Sequence, residues 1–436
     1  MQRIGSGIPP ILSDVNIPKR GFKMILSTCF YIDNTRWFKE QFELSRCLFN
    51  QARYFFRDYY DKNKSIVKQT DLEKILRTQD TKLNYYRKLC KAKLAQNIVI
   101  SLYKDYSSFF SAIKEFKVHP EKFNGEPKAP KYKENPNMLY FDYQSAKIKG
   151  QFIVLNKDIK IHIPYNIFEK HKDNLKNFKT INFIPKFNKI KVCISYETEE
   201  LNPDLDQNQY LGIDLGLNNL CSCVSEFNCF IINGKPIKSI NQYYNKKVSK
   251  LRSERPLIGD KQDFNYNKFN IFKLGFKRNL KTEDYLHNAS RSIVNFCVEH
   301  KIGTVVIGRN KQWKESIALG KRINQNFVSV PFFKFLSMLR YKCKMAGINL
   351  AEQEESYTSK CDSLAFESVE KHEEYKGKRI FRGLFKSSTG KVLNADINGA
   401  LNIVRKHLAK LKVADESFVK GIIGRGLFAR PHIITF

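Results

Sequence analysis

Two aspartates of this 436-residue chain occupy positions at which a carboxylate is unusual. Asp214 follows the apolar run 210–213 and precedes a turn at Gly216, and Asp396 begins an apolar helical pattern far downstream. A carboxylate in a hydrophobic strand costs free energy unless a cation or hydrogen bonds compensate its charge. Asp214 is therefore a candidate metal ligand, although an aspartate in a tight turn would give the same local sequence.

Bringing Asp214 and Asp396 together would create a site for two divalent cations. Such cations lie about 3.5–4 Å apart and activate water for phosphodiester cleavage. Oxygen ligands without histidine or cysteine favour magnesium or manganese over zinc. The expected cofactor is therefore a pair of Mg²⁺ ions, or of Mn²⁺ ions, in one site.

The net charge of the chain indicates a polyanionic partner. Lysine and arginine number 76 against 43 aspartates and glutamates, which gives a formal net charge of +33. This excess is spread along the chain, which favours an extended nucleic-acid path with steeply salt-dependent binding. Some of the 34 Phe and 21 Tyr could stack on bases, but aromatic residues at helical spacing are more typical of a core.

Two basic stretches are candidates for nucleic-acid contact. One opens a predicted helix over 234–256, and the other leads into a predicted helix through 282–300. The second could follow a nucleic-acid duplex or could be a solvated charged face. The candidate residues are Lys235, Lys238, Lys246, Lys247, Lys250, Arg252, Lys277, Arg278, Lys281 and Arg291.

The hydrophobic pattern divides the chain into regions of different type. Residues 22–34 have a β-like pattern, and residues 35–116 show the apolar spacing of three or four helices. After a connector rich in proline and lysine, residues 138–200 have the pattern of short strands, which with 22–34 would form a small barrel around the inserted helices. A helical bundle this basic favours an RNA or duplex contact over a purely structural role.

Cysteine usage and hydropathy indicate an intracellular protein. The ten cysteines are scattered singly, apart from Cys221 and Cys223, as is typical of reduced thiols. No signal peptide or membrane-spanning apolar run is recognisable, so no membrane partner is expected. The expected location is the cytoplasm or nucleoid of a prokaryote, or the nucleus if the chain comes from a eukaryote or its virus.

Several motifs resemble, in order, those of one protein family. GIDLGLNN (212–219) resembles the first RuvC motif, and NADINGALNI (394–403) the third, of the TnpB and Fanzor proteins and the compact type V CRISPR effectors. The other matching segments are GEPKAPKYK (125–133), KSINQYYNKK (238–247), DYLHNASRSIVNFC (284–297), TVVIGRN (304–310) and ESYTSK (355–360). The resemblance extends from about residue 22 to about residue 408, and it is specific because several medium-length motifs recur in the same order.

The resemblance implies a multidomain α/β fold. An RNase H-like (RuvC) nuclease core would be preceded by a small β-barrel, the wedge domain, which a helical recognition bundle interrupts. The implied boundaries are a flexible leader at 1–20, a wedge barrel at 21–34 and 137–203, a helical recognition domain with basic connector at 35–136, a RuvC-like nuclease at 204–360 and 391–410, a degenerate insert at the zinc-ribbon position at 361–390, and a C-terminal tail at 411–436.

The resemblance also implies an activity and its partners. A protein of this type binds a structured guide RNA of the omega-RNA kind, with one chain per RNA, and cleaves complementary double-stranded DNA beside a short flanking motif. Two alternatives remain. One is a nuclease-dead, RNA-guided DNA-binding repressor, and the other is an RNase H-like transposase that uses no guide.

The third carboxylate of the family is missing from its usual place. Relatives end the next parallel strand with a glutamate, whereas this chain has Gly308 after 304–307. Either the nuclease is inactive, or the predicted neighbouring strand 348–355 supplies the acid from its tip, since adjacent strands lie about 4.8 Å apart. We favour relocation to the pair Glu354 and Glu355. The expected metal ligands and catalytic residues are Asp214, Glu355 and Asp396, with Glu354 as the alternative acid.

The zinc ribbon of many relatives also lacks its ligands here. Relatives carry two CxxC pairs in this interval, a signature of tetrahedral zinc. Within 361–395 this chain has only Cys361 and one histidine, His372. No zinc is therefore expected, and the charged insert is predicted to be a short hairpin or a metal-free lid that loads the target.

Overall fold

The computed structural model describes residues 23–136, 138–199, 204–253, 261–309, 329–426 and 428–436, with the backbone alone at 23 and 261–266. The chain forms two compact units, one of residues 23–198 and one that contains the described residues from 199 onward. The predicted leader at 1–20 lies outside the described residues. None of the helices described is long and apolar enough to cross a membrane.

Four helices follow the first strand of the unit 23–198, within the range in which the sequence predicts three or four. They are α1 (Arg36–Asn63), α2 (Gln69–Arg77), α3 (Tyr85–Lys88) and α4 (Ala92–Val118). Phe42, Phe49 and Phe56 repeat every seven residues along α1 and are fully buried, so they form its core-facing stripe. Phe56 stacks on Tyr106 of α4 with ring centroids 4.2 Å apart.

The strands of this unit form two sheets. Strands β1 (Lys23–Asp33), β2 (Leu139–Asp142), β3 (Lys147–Lys149), β4 (Phe152–Val154), β5 (Lys160–His162), β6 (Phe178–Lys186) and β7 (Lys189–Glu199) pair in the orders β1-β7-β6-β2 and β3-β4-β5. The β2–β6 and β6–β7 pairs are antiparallel. Closure of these strands into a barrel stays a prediction.

One helix of this unit was missed by the sequence analysis. Helix α5 (Tyr165–Lys176) lies between β5 and β6, in a range predicted to contain strands alone. Leu175 is the buried residue of α5, and Ile167 and Phe168 are partly buried against the core. Pro164 directly precedes the helix, a position at which proline is well tolerated.

A six-stranded sheet is the centre of the second unit. Its order is β12-β11-β8-β9-β10-β16. The strands from 206 onward are β8 (Asp206–Leu215), β9 (Asn219–Val224), β10 (Cys229–Asn233), β11 (Ile302–Gly308), β12 (Asn349–Gln353), β13 (Lys378–Phe381), β14 (Leu384–Lys386), β15 (Val392–Asn394) and β16 (His432–Ile434). Strands β13, β14 and β15 form a separate three-stranded sheet within and beside the predicted insert.

The central strands run parallel and end at one edge of the sheet. Strands β8, β11 and β12 are parallel neighbours, and β8, β9 and β10 follow one another as antiparallel hairpins. Every residue of β11 is buried, as expected for a strand covered on both faces. Ile307 lies beside Ile213 of β8, and Gly308 beside Gln353 of β12, so the carboxyl ends of the three strands are adjacent.

Helices cover both faces of this sheet. They are α6 (Lys235–Ser253), α7 (Lys261–Glu299), α8 (Phe332–Met345), α9 (Ala395–Leu411) and α10 (Glu416–Arg425). Val305 and Ile307 share one core with residues of α7 and α8, whereas Val306 joins the buried face of α9 on the other side. The fold is therefore a mixed α/β fold in a multidomain chain, which confirms the predicted class in that form.

The segment 411–436, predicted as a C-terminal tail, contains regular structure. Helix α10 buries Phe418, Val419 and Ile422, and β16 pairs in parallel with β10 as the sixth strand of the sheet. Leu427 lies outside the described residues. The segment therefore packs as part of the second unit.

Candidate active site

Three carboxylates come together at the carboxyl edge of the sheet. Asp214 is the penultimate residue of β8, Asp396 lies in the first turn of α9, and Glu355 follows β12 by two residues. Burial raises the pKa of Asp214 well above its usual value, and the negative charges of Glu355 and Asp396 raise it further. The backbone N–H of Leu215 and the charge of Arg379 act in the opposite direction.

The composition of this cluster suits a hard divalent cation. The charges of Glu355 and Asp396 both repel that of Asp214, and the three side chains offer oxygen ligands alone, which Mg²⁺ and Mn²⁺ prefer. Among the described residues, no group of three or more acidic, histidine or cysteine side chains is arranged at metal-binding distance of one point. The three acids are thus neighbours that fit a metal pair chemically without forming a closed cage.

The Glu355 carboxylate occupies the space beside Gly308. A Cβ atom added at Gly308 would lie 3.0 Å from Oε2 of Glu355 and 2.6 Å from Cδ1 of Ile403. A side chain at position 308 would therefore collide with Glu355 and with α9. The predicted strand 348–355 is shorter in the structure and ends at Gln353, so Glu354 and Glu355 lie in the turn that follows it.

Glu354 has other partners. Its carboxylate accepts hydrogen bonds from the backbone N–H of Ser356 at 2.7 Å and from Nζ of Lys406 at 2.6 Å. Burial acts to raise the pKa of Glu354, but the hydrogen bonds from Lys406 and Ser356 outweigh it and hold the pKa below its usual value. Glu352 is likewise paired, with Arg309 and Arg340. Of the three glutamates, Glu355 is the one whose charge raises the pKa of Asp214.

Asp396 is held by the start of its helix. The side chain of Asn394 caps α9 and accepts from the backbone N–H of Asp396 at 2.9 Å, and a helix N-terminus favours a negative charge. Asn219 Nδ2 donates to Asp396 Oδ2 at 2.7 Å, and a terminal nitrogen of Arg379 lies 3.7 Å from Oδ1. Close packing brings α9 to Asp214 as well, because a Cβ at Gly399 would lie 2.9 Å from Asp214 Oδ2.

Two residues at this site, Asn219 and Arg379, were missed by the sequence analysis. Asn219 carries a detectable signal, since it follows the Gly216 turn and the β8–β9 hairpin returns it toward Asp214. Arg379 lies on β13 of the insert and carries no such signal. Its guanidinium is half exposed. Among the described residues, Arg379 is the cation that forms an ion pair with Asp396.

The insert is held by buried carboxylates in place of paired cysteines. Asp362 is fully buried and accepts from the backbone N–H of Ser388 at 2.7 Å and from Oγ of Ser387 at 2.9 Å. Glu367 accepts from the backbone N–H of Asp362 at 2.6 Å and of Lys376 at 2.8 Å. These bonds connect residues from both ends of the insert. Absence of zinc remains a prediction.

The predicted basic residues on α6 lie on an exposed face. Lys235, Lys246, Lys247, Lys250 and Arg252 are exposed. Lys238 differs, because its side chain is partly buried and its Nζ donates to Asn218 Oδ1 at 3.1 Å, in the loop that follows Asp214. Of the predicted basic residues on α6, Lys238 thus lies next to the loop that follows Asp214.

The predicted basic residues on α7 divide into two positions. Lys277 and Lys281 are exposed, and Arg278 is half-buried with its guanidinium 5.0 Å from the ring centroid of Tyr244 on α6. Arg291 instead borders a cavity of about 420 Å³ between the second half of α7 and β16. None of the three carboxylates lines that cavity, so the cavity is separate from the candidate active site.

Two family models match the chain. One, OrfB_IS605, described as "Probable transposase", matches residues 193–314, and the other, the Cas12f1-like TNB domain, matches residues 332–403. These matches fit the TnpB-like family. The resemblance stated from the sequence motifs is thereby confirmed, and the TnpB-like motif residues Asp214 and Asp396 fall within the respective matched segments.

Several solved structures are similar to this chain at low identity. A Cas12f1–sgRNA–target DNA complex is 16% identical with a TM-score of 0.49, covering 84% of this chain and 80% of that one. CasPhi-2 (Cas12j) bound to crRNA is 9% identical with a TM-score of 0.42, covering 88% and 98%. No curated protein matches the chain.

Proposed function

We propose that this chain is an RNA-guided DNA endonuclease that cleaves duplex DNA by two-metal phosphodiester hydrolysis. One observation carries the proposal most: Glu355 lies beside Asp214 and fills the space next to Gly308. A vacancy at position 308 without a substitute acid would favour an inactive protein. The relocated carboxylate supports an intact site in a TnpB-like chain.

The metal ligands in this proposal are Asp214, Glu355 and Asp396. A pair of Mg²⁺ or Mn²⁺ ions held there would activate a water molecule and stabilise the charge on the scissile phosphate. The chain itself orients these acids. Asn219 fixes one oxygen of Asp396 by its hydrogen bond, and Asn394 fixes the start of α9.

The remaining parts of the proposal concern nucleic acid. The net charge of +33 and the exposed lysines of α6 and α7 support an extended contact with a structured guide RNA and its target duplex. We assign one chain per omega-RNA-like guide, recognition of a short flanking motif, and an intracellular location. The second unit would be the RNase H-like (RuvC) core, and residues 23–198 would supply the wedge barrel and recognition bundle.

The experiment that tests this proposal compares two aspartate variants. Asp214→Ala removes a proposed metal ligand, and Asp204→Ala removes an exposed aspartate that precedes β8 in the same unit, as a matched control. Asp214→Ala should abolish Mg²⁺-dependent cleavage of a guide-matched duplex while guide RNA binding persists, and the control should cleave normally. Cleavage that survives Asp214→Ala would contradict the assignment.

A second candidate function is a guide-independent transposase, which the description of the matched family model favours. RNA of defined length that co-purifies with the chain and directs cleavage would exclude it. Strand transfer by RNA-free protein would support it instead. A protein that binds its guide-matched target but never cuts it would support the repressor alternative.

A further inference from the structure

We propose that the helix carrying Asp396 also positions Glu355, and this inference rests on the proposed function. Asn398, Asn402 and Lys406 are spaced by four residues along α9 and therefore lie on one face of it. We call these three residues the α9 clamp. All three contact the segment 354–361, which carries Glu355.

The two asparagines hold backbone carbonyls of that segment. Asn402 Nδ2 donates to the carbonyl oxygens of Thr358 at 2.9 Å and of Cys361 at 2.7 Å. Asn398 Nδ2 donates to the carbonyl of Cys361 at 2.9 Å. Both asparagine side chains are fully buried, so water cannot replace these bonds without opening the core.

Thr358 transmits this contact to Glu355. Its Oγ1 donates to the carbonyl oxygen of Glu355 at 2.8 Å, and its backbone N–H donates to the same oxygen at 3.3 Å. Tyr357, between them, has φ +67°, a left-handed conformation that a bulky residue adopts only where its surroundings impose it. Tyr357 is exposed, and the backbone on either side of it is held by hydrogen bonds from Thr358 and Lys406.

Lys406 holds the other side of the turn. Its Nζ donates to the Glu354 carboxylate at 2.6 Å and to the carbonyl oxygen of Ser356 at 3.1 Å. The same carboxylate accepts from the Ser356 backbone N–H. Glu354 is therefore a positioning residue that joins the turn to α9, and Glu355 remains the ligand.

Arg405 sets the direction of the Asn402 amide. A terminal nitrogen of its guanidinium donates to Asn402 Oδ1 at 2.9 Å and to the carbonyl oxygen of Glu367, also at 2.9 Å. An amide whose oxygen accepts from an arginine must turn its NH₂ group to the opposite side, toward the two carbonyls. Arg405 thus fixes which end of the Asn402 amide faces the carbonyls of Thr358 and Cys361.

One rigid helix consequently sets the distance between two proposed ligands. Asp396 lies in its first turn, and the clamp fixes Glu355 from the turns that follow. Residues that orient metal ligands change metal affinity when they are lost, typically by about 10- to 100-fold. Asn402 and Lys406 should therefore affect metal binding through Glu355.

The test is a titration of Mn²⁺, followed by electron paramagnetic resonance, on the purified full chain without nucleic acid. Asn402→Ala should weaken Mn²⁺ affinity by about tenfold or more, and Lys406→Met by a smaller factor. Both effects should vanish in a Glu355→Gln background, because residues that act through one group are non-additive. Lys410→Met, an exposed change on the same helix, is the control and should bind normally.

The possible outcomes separate this inference from the proposed function. If Glu355→Gln weakens Mn²⁺ binding but the clamp variants do not, or if their effects persist in the Glu355→Gln background, the clamp is overturned and the site stands. If Glu355→Gln binds Mn²⁺ as the wild type does, the proposed site fails and the clamp with it. Should circular dichroism show that Asn402→Ala is unfolded, Lys406→Met decides, since its side chain is partly exposed.

Discussion

Asp214 and Glu355 reach the same edge of the sheet, but different structures hold them. Asp214 lies inside a strand ladder, opposite Ser222 of β9 and one residue beyond Ile213, which pairs with β11. Glu355 lies beyond the end of β12 in a turn that side chains of α9 hold. A main-chain ladder needs no particular neighbouring side chain, whereas the turn depends on a few. The Glu355 side of the site should therefore be the more sensitive to single substitutions around it.

The largest expected effect separates the two adjacent glutamates. Glu355→Gln keeps the size of the side chain and removes its charge, so cleavage should fall on the order of 10³-fold or more. Glu354→Gln weakens the bond to Lys406 and should reduce cleavage by only about tenfold. Single-turnover cleavage of a guide-matched duplex measures both.

Guide-directed DNA binding is the control for this pair and should be unchanged in both variants. Equal losses in the two single variants would mean that the shape of the turn, rather than the Glu355 charge, limits cleavage. Full activity of the double glutamine variant would rule out relocation of the third acid to this pair.

A smaller effect is expected from filling the space beside Glu355. In Gly308→Ala the added methyl group would meet Ile403 at 2.6 Å and the Glu355 carboxylate at 3.0 Å. The free energy of unfolding should fall by about 1–3 kcal/mol, and cleavage should fall with it as Glu355 moves. Urea denaturation and cleavage rates check the two parts.

Gly424→Ala is the matched control for Gly308→Ala. Gly424 lies in α10 with nothing within 4 Å of an added Cβ, so alanine should raise the free energy of unfolding by about 0.5–1 kcal/mol. Gly308→Ala with wild-type stability and cleavage would show that Glu355 does not depend on the space at position 308.

The smallest expected effect is that of metal removal on the stability of the insert, which side chains also hold. EDTA should abolish cleavage but leave the thermal unfolding temperature unchanged, because Asp362 and Glu367 bind backbone N–H groups rather than a structural ion. Elemental analysis should find no stoichiometric zinc. About one zinc per chain, with a lower unfolding temperature in EDTA, would contradict this.

The same contrast explains what the sequence could predict. Asp214 was recognisable because an apolar strand and a glycine turn are local patterns, and Asp396 because the start of an apolar helix is one too. The neighbouring strands β11 and β12 were also expected to be adjacent, and the structure pairs Gly308 with Gln353. Choosing the acids near the tip of β12 followed from that adjacency.

Residues that act through tertiary contacts were not predictable in the same way. Arg379 reaches Asp396 from the insert, and Asn402 of α9 donates to the carbonyl oxygen of Thr358. In each case the contact joins two separate elements of the second unit, and neither residue type is unusual for its element. Helix α5 was missed for a different reason, since it buries a single residue, Leu175.

Strand β16 has a consequence for how the molecule behaves at high concentration. It pairs with β10, whose residues Cys229 to Ile232 are all buried, and Asn233 adds a side-chain bond to Thr435 at 3.1 Å. Without this cover, β10 would present an apolar strand with unpaired backbone groups, a template for stacking between molecules. The three residues of β16 therefore cover the apolar strand β10, and loss of this pairing should increase self-association at high concentration.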